Sequence, residues 1–338
     1  MRAPLKKTAL WLLRLMGREF RDERTGHSLG RACVLPSPMD PSVVGLPHAV
    51  RPVFLPERTT KYTRHRLGFA THEEPDYPSR HEAAGTVDPD RLLWAILVHQ
   101  SPAEVTGLLR YWEKLGYSQD RILFVHAGKR DDFEALSALN KVFVEDREIR
   151  TTFHPMEKQS YGGALREIAG WLTTERGSRF EAVALVEYDH LPLIPDWGTR
   201  LCAGLEEEQA DLLCHHLVRV DGTNASHYLY HLSDARFEDL WKGFSLREEK
   251  KLFLNAIMTG SVWRRVTLEA VAARKESFPV YLELYLPSLA HHLGFRVRGH
   301  GEQDRFVQVV PMAEPFSPKW RESGAWSLHQ VKSVSSFF

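Results

Sequence analysis

Residues 181–198 read EAVALVEYDHLPLIPDWG, and this stretch decides the fold. Ala182 to Val186 form an unbroken apolar run that ends in Glu187-Tyr188-Asp189-His190, after which a proline-rich loop leads into a helix. Such a run predicts a strand buried on both faces, as in the middle of a parallel sheet. Carboxylates just past the carboxyl end of such a strand stand where open α/β sheets bind ligands. In extended chain, residues i and i+2 share a side. Glu187 and Asp189 are therefore expected to face one pocket while Tyr188 packs away. Two acids on one side of a loop suit a hard divalent cation and, through it, a phosphate ligand. A solvated acidic turn closing a core strand is the other reading of the same residues.

Outward from this strand, the chain alternates strands and helices from residue 91. Leu92 to His99 reads as a strand, and Ser101-Pro102-Ala103-Glu104 as a capping box with proline at the first helical position. The helix that follows sets Val105, Leu108, Leu109, Trp112 and Leu115 on one face, and Gly116 ends it. Ile122 to His126 is a second strand, with a helix carrying Phe133, Leu136 and Leu139 inward, and Val142 to Val144 a third. Ile149 to Phe153 extends the series. Ser160 is expected to cap a helix running to about Thr174. Beyond the central strand come a strand over Asp211 to Val220, another over His227 to Leu232, a helix opened by Asp234, and a helical segment over Ser261 to Ala273. Leu286, Leu289, Ala290 and Leu293 repeat at helical spacing before Gly294, and Phe295 to Arg298 form a last strand. This rhythm means right-handed βαβ units: an α/β fold with a mainly parallel sheet flanked by helices. No internal period marks a repeat array.

Residues 1–90 form an irregular extension. Lys6 and Lys7 precede a basic amphipathic helix through about Phe20, and prolines then punctuate residues 22–90. The apolar part of that helix is short, is broken by Arg14 and lacks a small-residue cleavage site, which argues against a signal peptide. It either packs on its own domain or makes peripheral contact with an anionic membrane surface. Within the extension, Ala32 to Leu35 and Pro52 to Leu55 read as short edge strands. The folded domain spans 91–315, and 316–338 reads as a tail.

With 338 residues the chain is long enough to bury a sizeable core. Its 44 Lys and Arg balance 44 Asp and Glu, so no global charge recruits nucleic acid. Cys33, Cys202 and Cys214 are odd in number and show no CxxC spacing, which points to a reduced, cytoplasmic compartment. No stretch approaches the ~20 apolar residues of a membrane span.

The order of parts over about 91–310 resembles the GT-A fold of nucleotide-sugar glycosyltransferases, loosely the family 2 type. In that family a Rossmann-like half binds the nucleotide and ends in an acidic Asp-x-Asp-type motif. Glu187-Tyr188-Asp189 stands in its place, with Glu where the family has its first Asp. The resemblance implies a bacterial-type cytoplasmic enzyme that moves a sugar from a nucleoside-diphosphate-sugar donor to a glycan, lipid-linked or small-molecule acceptor, and the basic N-terminal helix offers it a peripheral contact with the inner membrane. It implies Mn2+ or Mg2+ as cofactor, with Asp189 as ligand and Glu187 reaching metal or ribose. Glu283, ahead of a late helix that ends at Gly294-Phe295, matches the family's general base, though Leu284 replaces the usual second acid. Donor contacts are expected from His99, Gln100 and Ser101, from Gly128 and Asp131, and from Lys158, Gln159 and Gly163. For Asp131 the competing role is a helix N-cap. His300 is a candidate late metal ligand, since some members of the family add a histidine to the metal.

The other histidines offer little. His190 reads as a loop or core residue. His215-His216 and His291-His292 are adjacent pairs, and neighbours in a strand face opposite ways. No HExxH, P-loop or GxGxxG motif occurs, which argues against a zinc hydrolase and removes nucleotide hydrolysis and dinucleotide redox chemistry. Two alternatives stay open: a nucleotidyltransferase of related half-fold, and a catalytically degenerate transferase-like binding module.

Overall fold

A computed structural model describes residues 85–137, 140–145, 162–219, 254–274, 282–300, 307–309 and 324–331, with residue 322 and four short strands before residue 53. Those four are β1 (Phe20–Arg21), β2 (Ser28–Gly30), β3 (Val34–Pro36) and β4 (Val50–Pro52). They pair β1 with β2 and β3 with β4, both antiparallel; β3 overlaps the edge strand expected over Ala32 to Leu35, whereas β4 ends at Pro52, where the other was expected to begin, and residues 53–55 lie outside the described residues.

The main body follows as β5 (Leu92–Val98), α1 (Pro102–Lys114), β6 (Ile122–His126), α2 (Arg130–Ala135), β7 (Lys141–Phe143), α3 (Gly162–Leu172), β8 (Ala182–Glu187), β9 (Leu191–Pro192) and α4 (Trp197–Glu207). Then come β10 (Leu212–Arg219), β11 (Leu254–Arg264), α5 (Arg265–Ala272), α6 (Leu282–His292), β12 (Val297–Gly299), β13 (Val307–Val309) and β14 (Ser327–His329). The amphipathic helix, the segment 149–153, the cap at Ser160, and the elements expected over 227–241 lie outside the described residues.

Seven strands form one sheet in the order β12-β10-β11-β8-β5-β6-β7. All neighbours are parallel except β11, which runs antiparallel to both β8 and β10. This is the mainly parallel α/β sheet that the alternating pattern predicts. The chain steps from β5 outward to β6 and β7, then returns to β8 on the other side of β5. Such a reversal opens a crevice at the carboxyl ends of the two strands.

Alternation along the central strands builds two cores. Leu93, Ala95, Val183 and Leu185 point to one face, under Leu165 and Ile168 of α3, Leu268 of α5 and Leu286 of α6. Leu92, Trp94, Ile96, Ala184 and Val186 point to the other, under Leu108 and Trp112 of α1 and Leu201 and Leu205 of α4. Both faces are covered, which is why β5 and β8 are apolar throughout.

The structure corrects the second half. Residues 261–264, expected in a helix, complete the long strand β11, and α5 begins only at Arg265. β11 lies inside the sheet, and pairing on both edges outweighs local helical spacing. Its register against β10 shifts twice, and His216 there takes φ 51° while staying exposed; the neighbouring His215 is buried. His291 and His292 end helix α6, both buried, so the opposite-face rule for strands does not govern them. Within the segment read as a tail, β14 pairs antiparallel with β9 and parallel with β13.

Candidate functional site

β8 ends at Glu187, and the chain turns at once: the His190 N–H donates to the Glu187 carbonyl at 3.0 Å. Tyr188 and Asp189 thus lie in a tight turn instead of extended chain. The turn is fixed to the neighbouring strand, because the Tyr188 N–H donates to the Leu97 carbonyl at 3.0 Å. Asp189 is buried and Glu187 half-buried. The Tyr188 ring packs edge-on against His99, with centroids 4.9 Å apart.

The third partner comes from β14. Strand β14 lies along residues 189–193: Ser327 pairs with Pro192 and Leu328 with Leu191, and the Val331 N–H donates to the Asp189 carbonyl at 2.9 Å. His329 Nε2 reaches Glu187 Oε2 at 3.5 Å and Asp189 Oδ1 at 3.8 Å. One donor atom from each of Glu187, Asp189 and His329 lies within 4.8 Å of the others. Two carboxylate oxygens and an imidazole nitrogen at this spacing are a donor set that can hold a divalent cation. Burial on its own would lower the pKa of His329. The Glu187 carboxylate, with the charges of Asp189 and Glu283, outweighs burial and holds it above the usual histidine value.

His300 is not in this group. It is buried, and its ring stacks on His215 at 4.0 Å between centroids. Glu283 lies in the first turn of α6, half-buried, close enough for its charge to act on His329.

The expected donor-binding residues divide. His99 and Gln100 follow β5 beside the acidic turn, and the Gln100 side chain accepts the His99 N–H at 2.8 Å. Burial pushes the His99 pKa below its usual value, against the pull of Asp189. Ser101 is the N-cap of α1: its hydroxyl and N–H both engage Glu104, at 2.7 and 3.1 Å, completing the capping box. Gly128 follows β6 in close contact with the β5 exit; a Cβ there would meet the His99 carbonyl oxygen at 2.7 Å. Asp131 is exposed in the first turn of α2, whose N-cap is Lys129, so Asp131 does not cap that helix. Gly163 is buried in the first turn of α3. Lys158 and Gln159 lie outside the described residues.

His329 escapes a reading of the sequence because it sits in a segment of Ser, Trp and Pro. The alternation Trp326-Ser327-Leu328-His329 signals a short strand, yet only the fold shows that its partner is the loop after the acidic turn.

No family model matches the chain, and no curated protein matches it. Among solved structures, the chain is similar to that of S. aureus TarS residues 1–349, at 11% identity and a TM-score of 0.33, over 64% of this chain and 62% of that one. The chain thus spans less than two thirds of that structure's length. At this level the likeness carries no argument about chemistry, and the site rests on its own geometry. No helix among the described residues is long and apolar enough to cross a membrane.

Proposed function

We propose that this chain is a glycosyltransferase that moves a sugar from a nucleoside-diphosphate-sugar donor to an acceptor hydroxyl. The observation that carries the reading is the convergence of Glu187, Asp189 and His329 within 4.8 Å at the crevice where β5 and β8 end. A divalent cation held by these three residues would neutralise charge on the departing diphosphate. The imidazole beside two carboxylates favours Mn2+ over Mg2+, which prefers an all-oxygen shell. In the transfer, the bond from the sugar's anomeric carbon to the diphosphate oxygen breaks and one to the acceptor oxygen forms. The acceptor's proton then needs a base, and Glu283 is our candidate, its charge being felt at His329. His99, Gln100 and Gly128, at the ends of β5 and β6, are the residues we assign to the nucleotide, and Lys158, Gln159 and Gly163 to the donor's entry side. We assign a glycan, lipid-linked or small-molecule acceptor, and a cytoplasmic site of action with the amphipathic helix touching the inner membrane.

Thermal shift of the full chain with UDP, GDP and CMP, each with and without Mn2+, tests this reading. We expect one nucleotide to raise the melting temperature only when Mn2+ is present, and Asp189→Ala to lose that rise. No nucleotide shifting the wild type, or an unchanged shift in Asp189→Ala, would overturn it.

A further inference from the structure

His190 is fully buried, and each of its ring nitrogens faces one hydroxyl. Nδ1 lies 3.1 Å from Thr259 Oγ1 and Nε2 lies 2.8 Å from Ser327 Oγ. Thr259 Oγ1 also accepts the Glu187 N–H at 2.9 Å. One ring therefore ties together the acidic turn after β8, strand β11 and strand β14. The neutral imidazole is satisfied in either tautomer, and burial holds it neutral.

The tie has a geometric consequence. Ser327 and His329 are two apart on β14, so they point to the same side of that strand. Holding the Ser327 hydroxyl inward presents His329 on the side of Glu187 and Asp189. A shift of β14 by one residue would send His329 to the other face. Short backbone pairing with β9 and β13, and single bonds at Leu193 and Val331, hold β14 from its edges, and the Ser327–His190 contact adds a side-chain anchor on the face that carries His329. Space for the ring is made by Gly260, at φ +81°, where a Cβ would meet His190 Cε1 at 2.7 Å.

We infer that His190 is a positioning residue: through Ser327 and Thr259 it sets the register of β14 and so delivers His329 to Glu187 and Asp189. The inference rests on reading that trio as a cation site, and it touches no metal itself. Partners that orient ligands from behind typically change metal affinity about 10- to 100-fold when removed.

Two variants test it, Ser327→Ala and His190→Gln, with His329→Ala and Asp189→Ala for comparison. In the metal-free full chain, hydrogen exchange should accelerate over 325–331 in both variants while β5 and β8 keep wild-type protection. By titration calorimetry, Ser327→Ala should weaken Mn2+ about tenfold in the wild type and by less than about twofold in the His329→Ala background, because it acts through His329. Unchanged exchange over 325–331, or an equal loss of Mn2+ affinity in both backgrounds, overturns the proposal. Should the wild type bind Mn2+ no better than Asp189→Ala, the cation reading falls, and the exchange data still decide whether His190 positions β14.

Discussion

His126, the last residue of β6, has both ring nitrogens committed. Its Nε2–H donates to the Gln100 carbonyl at 3.2 Å, and Nδ1 accepts the Gly128 N–H at 3.2 Å. A carbonyl can only accept and an amide N–H can only donate, so this geometry fits one neutral tautomer. Protonating Nδ1 would set two donors against each other. Burial, the largest influence, lowers the pKa below the ordinary histidine value. In the unfolded chain the same ring titrates near 6.5. As pH falls below that value, the unfolded state takes up a proton that the folded state refuses, so stability drops. One proton sets the upper limit of this slope at about 1.4 kcal/mol per pH unit. Urea unfolding at pH 7.5, 6.5 and 5.5 should show a shallower loss for His126→Gln than for the wild type. The same ring links the exits of β5 and β6, where our nucleotide residues lie.

At the scale of elements, α1 anchors the loop that carries the site. The Tyr111 hydroxyl donates to the Pro192 carbonyl at 2.6 Å, and the Tyr117 hydroxyl, just past the helix, donates to the Ile194 carbonyl at 2.7 Å. Both bonds cross from the covered sheet face to the segment after the acidic turn, and β9 within that segment pairs with β14. Burial, above all, pushes the Tyr117 phenol above its usual value. Trp94, Trp112 and Trp197 form the apolar floor, with Trp94 5.0 Å from each of the other two rings. Tyr111→Phe removes the donor to a buried carbonyl, and we expect a loss of about 1–3 kcal/mol in chemical denaturation. Tyr117→Phe, at a less buried bond, should cost less. Helix α1 itself was legible residue by residue, since its capping box, apolar face and terminal glycine are all local features. β11 was not, because its alternation is short and its place between β8 and β10 comes from pairing with distant chain.

For the whole molecule, the site is a meeting of the seven-stranded sheet with a small separate sheet of β13, β14 and β9. β14 is outside the main sheet, yet Leu328 is fully buried and Trp326 nearly so. Ending the chain at Gly324 should therefore leave the main sheet folded, with far-UV circular dichroism nearly unchanged. Burial lost at Leu328 and Trp326 is worth roughly 1.5–3 kcal/mol each, which should lower the melting temperature measurably. Mn2+ affinity should fall at least as far as it does in His329→Ala. Retained wild-type Mn2+ binding in that truncation would remove His329 from the site.

The sequence by itself determined the α/β class, the strand ending at Glu187 and the position of Asp189 beyond it. These follow from local pattern: apolar runs buried on both faces, caps, and acids at a strand end. Tertiary structure decided what the acids meet. His329 lies 140 residues from Asp189, and it arrives only because β14 lies along residues 189–193. His190 reads as an ordinary core histidine until the ring is seen to join three chain segments, and His300, chosen for its late position, packs instead on His215. Local periodicity fixes what a segment becomes. Which side chains share a site depends on strand pairing between segments far apart in the chain, and a single sequence does not encode that pairing in any local pattern.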